Sequence, residues 1–176
     1  WTATAAGCCI LGTQSEGPYI THTTRGQIVD MGVTDMTNMG AAMAPAAFDT
    51  LRAVFRDTGT SPKDYDLIVT GDLGAVGSDI LTELFRREGM TLDNYTDCGL
   101  LLYDRKKQDM HAGGSGCGCS AAVLNGYLLE GMRQGRWRRL LFAPTGALLS
   151  PTSSFQGESI PGICHAVVFS RTKEDA

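Results

Sequence analysis

Apolar residues fall along this chain in short runs whose period changes from two to nearly four. Thr2–Leu11 is a run with strand character, Gly12–Pro18 is a turn, and Tyr19–Val29 alternates polar with apolar positions. The first 29 residues therefore predict a β-hairpin. A loop rich in Met, Asp and Thr follows. Over Ala44–Thr58 the period becomes helical, with Phe48, Leu51, Val54 and Phe55 on one face and Pro45 in the first turn. Tyr65–Thr70 reads as a short buried strand. A helix is expected over Gly77–Arg87, with Ile80, Leu81, Leu84 and Phe85 on one face and Gly89 as its stop. Leu100–Tyr103 predicts a strand, Ser120–Gln134 a helix, Leu140–Ala143 a strand and Ile163–Arg171 the last strand. Thr145–Gly162 is long for a loop, which favours a functional role. This order implies an α/β fold, a mixed and mostly parallel sheet with helices on both faces.

Composition narrows the picture. The chain has 176 residues, enough for one sizeable core, with 43% hydrophobic and 19% charged residues. A net charge of −4 argues against nucleic acid as a partner, because phosphate binding needs a basic face. Arg133–Arg139 and Arg105–Asp109 read as solvated surface. No apolar run is long enough for a transmembrane helix, and none reads as a signal peptide. The first residue is Trp1 rather than Met, so a fragment of a longer protein is expected.

The six cysteines bear on chemistry. Cys8, Cys9, Cys98 and Cys164 lie in or beside apolar runs and read as small buried residues. Cys117 and Cys119 form C-x-C with no second pair at zinc spacing, so neither a zinc ribbon nor a disulfide framework is expected. Either thiol could be a nucleophile at a helix start, served by His111 or His165, but a histidine between Cys164 and Ala166 is more often a satisfied core residue. His22 is assigned no role. GxSxG, P-loop and HExxH motifs are absent from the sequence.

Three segments could hold a ligand. Gly71-Asp72-Leu73-Gly74 follows a buried strand, the end at which open α/β sheets bind ligands. Asp72 either faces a pocket or, with Ser78, caps the next helix. Gly113–Ser120 opens a helix with small residues, and Ser115, Gly116, Cys117, Gly118 and Cys119 could present N–H groups to a carboxylate there. Tight helix packing explains the same glycines. The loop after Pro144 offers Thr145 and Ser153 among many hydroxyls, or is plain irregular surface.

AGGSGCGCSA at 112–121, MGAAMAPAAFDT at 39–50, DYDLIVTGDLGAVGSDIL at 64–81 and SPTSS…QGESIPGICHAV at 150–167 resemble the stage V sporulation protein AD family across nearly the whole chain. That family is similar to thiolases and ketoacyl synthases, built from two βαβαβαββ halves. The resemblance implies a partial thiolase-like fold: residues 1–29 as a terminal hairpin of the N-terminal half, and 30–176 as the C-terminal half. The nucleophilic cysteine of the superfamily would lie in the missing part, and Cys117 does not correspond to it. Condensing enzymes carry a His and a His or Asn where this chain has Gly71 and Asp72, and Gly118. An aspartate would oppose a forming oxyanion.

The resemblance therefore implies a non-catalytic protein that binds dipicolinic acid, or its calcium chelate, and serves its uptake into the developing spore. The alternative is an acyltransferase or condensing enzyme acting on acyl thioesters. Gly71, Asp72, Ser115–Cys119, Thr145 and Ser153 are the expected ligand residues, with Asp72 facing any calcium that accompanies the ligand. No cofactor is expected. The implied partners are membrane proteins of the same transport complex and the missing N-terminal half, with a homodimer compatible. The implied location is peripheral to the inner spore membrane.

Overall fold

A computed structural model describes residues 1–14 and 16–175. Its main sheet has five strands in the order β1 (Tyr19–Thr24), β8 (Ala166–Ser170), β5 (Arg139–Ala143), β3 (Leu67–Thr70) and β4 (Tyr95–Asp97). β3 pairs in parallel with both β4 and β5, and β8 runs antiparallel between β5 and β1. The sheet is mixed, as the order of apolar runs predicts, with its parallel pairs on the β5–β3–β4 side. A second antiparallel sheet joins β2 (Ile28–Val29), β7 (Gly162–Cys164) and β6 (Thr145–Ala147).

The two faces of the main sheet are covered separately. Successive strand side chains point to opposite sides. Ile68, Leu141 and Val168 enter one core with Leu51, Val54 and Phe55 of α1 (Met39–Thr58) and Leu81 and Phe85 of α2 (Gly74–Arg87). Val69, Leu140, Phe142 and Phe169 enter the other core, with Val123, Leu128 and Met132. Burial on both faces is why these strands are continuous apolar runs rather than alternating ones.

The structure corrects several expectations. Thr2–Leu11 forms no strand and no hairpin with Tyr19–Thr24. It makes one bridge, Thr2 to Ser115, and only Ala3 in it is buried. Cys8 and Cys9 are accordingly exposed. Tyr19–Val29 divides between the two sheets, and so does Ile163–Arg171, which breaks at His165. Helix α1 starts five residues earlier than expected because Asn38 accepts from the Ala41 N–H and caps it, which leaves Pro45 inside the helix. Leu100–Tyr103 is not a strand. The strand is Tyr95–Asp97, and Asp97 caps a short helix α3 (Cys98–Leu101).

The helix after the glycine run begins at Cys119 as α4 (Cys119–Val123), passes through a π-helical turn at Leu124–Leu128 and ends as α5 (Leu129–Arg133). The Asn125 side-chain amide donates to the Ala121 carbonyl at 2.8 Å, competing with the backbone for the i−4 acceptor. The long loop holds β6 and a short helix α6 (Pro151–Phe155). Within the basic run, Arg133 pairs with Glu130, Arg136 lies over Tyr127 and Arg139 over Tyr65. Among the described residues no helix is long and apolar enough to cross a membrane.

Candidate functional site

The carboxyl ends of β3 and β5 lie side by side, and the segments leaving them meet the glycine run. Asp72, two residues past β3, joins all three. Its Oδ2 accepts from the Ser115 hydroxyl at 2.9 Å and the Gly116 N–H at 3.1 Å, and its Oδ1 accepts from the Thr145 hydroxyl at 3.0 Å. Glycine makes this meeting feasible. A Cβ on Gly71 would lie 2.8 Å from the Thr145 nitrogen, and Gly116 holds φ near +104°.

Around Asp72 open two adjoining clefts. One, of about 350 Å³, is lined by Met39, Met43, Asp72, Ser115, Gly116, Cys117, Ser120, Thr145, Gly146 and Ala147. The other, of about 410 Å³, shares Met39, Asp72 and Ser115 and extends along Leu73, Gly74, Gly113 and Gly114 to Asp35 and Asn38. Both fall in the size range of small-molecule sites.

Asp72, Ser115, Gly116, Cys117 and Thr145 are thus brought together, as the sequence suggested. Gly71 serves as the point of close approach. Gly118 is buried, and a Cβ there would lie 1.9 Å from the Ala5 carbonyl oxygen, so it packs against the N-terminal segment. Cys119 is fully buried in the second core. Ser153 lies on α6 and lines neither cleft. The α4 start is also not a vacant anion site at Gly116, since its N–H is taken by Asp72.

The histidines behave differently from expectation. His165 is exposed rather than a core residue, and its Nδ1 accepts from the Gly26 N–H at 3.2 Å. His111 is exposed, 3.3 Å from Asp109 and stacked on Trp1. Neither lines a cleft beside Cys117.

The carboxylate that sequence reasoning missed is Asp97. It is wholly buried, with Oδ2 accepting from Thr70 Oγ1 at 2.6 Å and the Leu73 N–H at 2.9 Å. Its Oδ1 accepts from the N–H groups of Gly74 at 3.0 Å and Gly99 at 2.9 Å. Burial raises its pKa from the ordinary value of an aspartate, against the lowering effect of these four hydrogen bonds. Thr70 Oγ1 also meets the Tyr95 hydroxyl at 2.7 Å, which donates to Ser78 Oγ at 3.0 Å. The available signal was an Asp directly before a Cys-Gly-Leu-Leu turn, a helix-cap pattern. The apolar run after it suggested a strand instead. Met39 and Met43 were missed because the helix was started too late.

The thiols divide sharply. Cys8, Cys9 and Cys117 are exposed. Burial pushes Cys119 and Cys164 up to about 12 and Cys98 further. At pH 8 a maleimide is expected to label Cys8, Cys9 and Cys117 and to leave the other three at least about a hundredfold slower, because the thiolate is the reactive form. Mass spectrometry of digests with and without urea checks this.

A family model and a curated relative agree on one family. The family model described as Stage V sporulation protein AD matches residues 1–170. Stage V sporulation protein AD of Bacillus subtilis (strain 168) is 44% identical over 171 residues, covering 97% of this chain and 50% of that protein. The chain thus spans about half the length of that relative. Among solved structures, 3-oxoacyl-[acyl-carrier-protein] synthase III of Aquifex aeolicus VF5 aligns with a TM-score of 0.48 at 11% identity, covering 90% of this chain and 46% of that one. The synthase III of Pseudomonas aeruginosa PAO1 gives 0.45 at 13% identity, covering 79% and 34%. A match along residues 1–170, together with a 44% identical relative, means that the chain belongs to the Stage V sporulation protein AD family.

Proposed function

We propose that this chain supplies the ligand cleft of a non-catalytic sporulation protein that binds dipicolinate as its calcium chelate. The observation that carries the reading is the Asp72 junction, where three chain segments converge on one carboxylate beside a small cleft. With three donors on it, Asp72 acts as an anchor and as a fixed negative charge, not as a free metal ligand. That charge repels a free dicarboxylate and tolerates a chelate whose charge the cation has offset. Ser115, Ser120 and Thr145 supply hydroxyls, and the backbone N–H of the exposed residue Cys117 makes no hydrogen bond to the described residues. Positions 70–74 read Thr-Gly-Asp-Leu-Gly and positions 116–119 read Gly-Cys-Gly-Cys, with no His or Asn to polarise a thioester.

Within this reading the exposed Ile10 and Leu11 meet the other half of the full-length protein. Membrane proteins of the transport complex are its partners at the inner spore membrane.

Calorimetry on the full-length protein tests it. Calcium dipicolinate is expected to bind more tightly than dipicolinate with a chelator present. Asp72→Ala leaves neither acceptor oxygen, so the holds on the glycine run and on Thr145 are both lost. Its affinity for the chelate is expected to fall about tenfold or more, equivalent to ~1.4 kcal/mol, and the preference for the chelate to narrow. Unchanged affinity in this variant would sink the reading. A stable acyl adduct on incubation with acyl thioesters would favour the condensing-enzyme alternative.

A further inference from the structure

We propose that Asp97 is the positioning residue of this cleft, holding with one carboxylate both the segment that carries Asp72 and the segment that carries Ser115. The binding part of its test rests on the dipicolinate reading above.

Asp97 sits at the end of β4, wholly buried. Toward β3 it accepts from Leu73 and Gly74, the two residues directly after Asp72, and from Thr70. The direction in which the Asp72 side chain leaves the chain is therefore set by Asp97. Toward α3 it accepts from Gly99. The Gly99 carbonyl in turn accepts from the Gly114 N–H at 2.8 Å, one residue before Ser115. The two arms close where Ser115 donates to Asp72 at 2.9 Å.

A helix cap alone explains little of this. Capping α3 requires only the Gly99 contact, whereas three of the four donors come from the β3–α2 connection. The charge is also costly. Among the described residues no cation pairs with Asp97, and burying an unpaired carboxylate opposes folding. Its titratable neighbours offer no compensation. Tyr95 on β4 and Cys98 on α3 are driven far up by burial, and Cys119 at the start of α4 is pushed up to about 12, so all three are neutral near pH 7. Holding the loop and the glycine run in register is what four converging donors accomplish here.

The test uses the full-length protein. Asp97→Asn keeps the shape but turns an NH2 toward at least one backbone N–H, so at least one contact is lost. Its affinity for calcium dipicolinate is expected to fall about tenfold or more. Hydrogen exchange is expected to quicken together at 71–74 and 113–116, with α1 unaffected. Ser115→Ala removes one of the two contacts at the far end of the same loop, leaving the Gly116 N–H on Asp72. The double variant is expected to lose no more than about threefold beyond the worse single variant, since both act on one contact. Losses that multiply would mean Asp97 supports the fold generally and would overturn the proposal.

If Asp97→Asn fails to fold, Thr70→Val removes one donor from Asp97 and is expected to quicken exchange at 71–74 and 113–116. Unchanged exchange there counts against the proposal. If the wild type binds no dipicolinate, the ligand reading fails by itself. Coupled exchange at the two segments then still supports positioning, and a change at 71–74 alone overturns it.

Discussion

Gly99→Ala is expected to destabilise the folded chain by about 3 kcal/mol and to open the cleft at the same time. A Cβ at this position would lie 2.1 Å from the Gly114 carbonyl oxygen and 2.9 Å from Asp97 Oδ1. Neither neighbour can yield. The first is backbone of the glycine run, and the second is a buried carboxylate held by four donors. The methyl group must therefore push α3 away from Gly114 or push Asp97 off its partners. Either movement loses the Gly99 contacts that lead to Ser115. Urea unfolding checks the stability, and hydrogen exchange at 113–116 checks the cleft. Gly126→Ala is the control, because a Cβ there meets nothing within 4 Å and alanine suits a helix better. Equal midpoints for Gly99→Ala and wild type would contradict this account.

Phe85→Ala is expected to cost about 3–5 kcal/mol, from lost burial and the cavity left behind. Phe85 is fully buried on α2, with its ring 4.9 Å from Phe48 and 6.0 Å from Phe55 in edge-to-face arrangements. Both partners belong to α1, so the change loosens the α1–α2 contact rather than the cleft. Thermal or urea unfolding should show the loss. Affinity for calcium dipicolinate in the full-length protein should stay within about twofold under folding conditions, since Phe85 lies about 16 Å along α2 from the cleft residue Gly74 and such separated sites act independently. A large affinity loss would mean that the cleft depends on the whole α1–α2 layer.

Much of the framework is legible in the residues. Leu67–Thr70 and Arg139–Ala143 are apolar at both odd and even positions, and both faces are in fact covered. The helical stripe at Leu81 and Phe85 marks the face of α2 that is buried. Asp72, Ser115, Gly116, Cys117 and Thr145 were legible as polar or small residues beyond strand ends. The failures have a common cause. Thr2–Leu11 and Leu100–Tyr103 carry strand-like composition, but a strand exists only where a partner offers its ladder. Thr2–Leu11 finds one bridge, to Ser115, and Leu100 and Leu101 are taken into the turn that Asp97 caps. Gly118 and Cys119 share the local chemistry of Cys117 but face the N-terminal segment and the core, because a helix start turns successive residues in different directions.

Local pattern and propensity thus determined which stretches are strands and helices buried in the two cores, and placed glycine-rich turns beyond the strand ends. Those properties depend on neighbours a few residues away. Only the tertiary structure decided what the turns do. Asp72 meets Ser115 across 43 positions and Thr145 across 73, and Asp97 reaches Leu73 across 24. Such contacts require backbones to approach within hydrogen-bonding distance after the sheet has aligned them. The glycine run that looked like a ready carboxylate site is, in the folded chain, already satisfied at Gly116 by the protein's own aspartate.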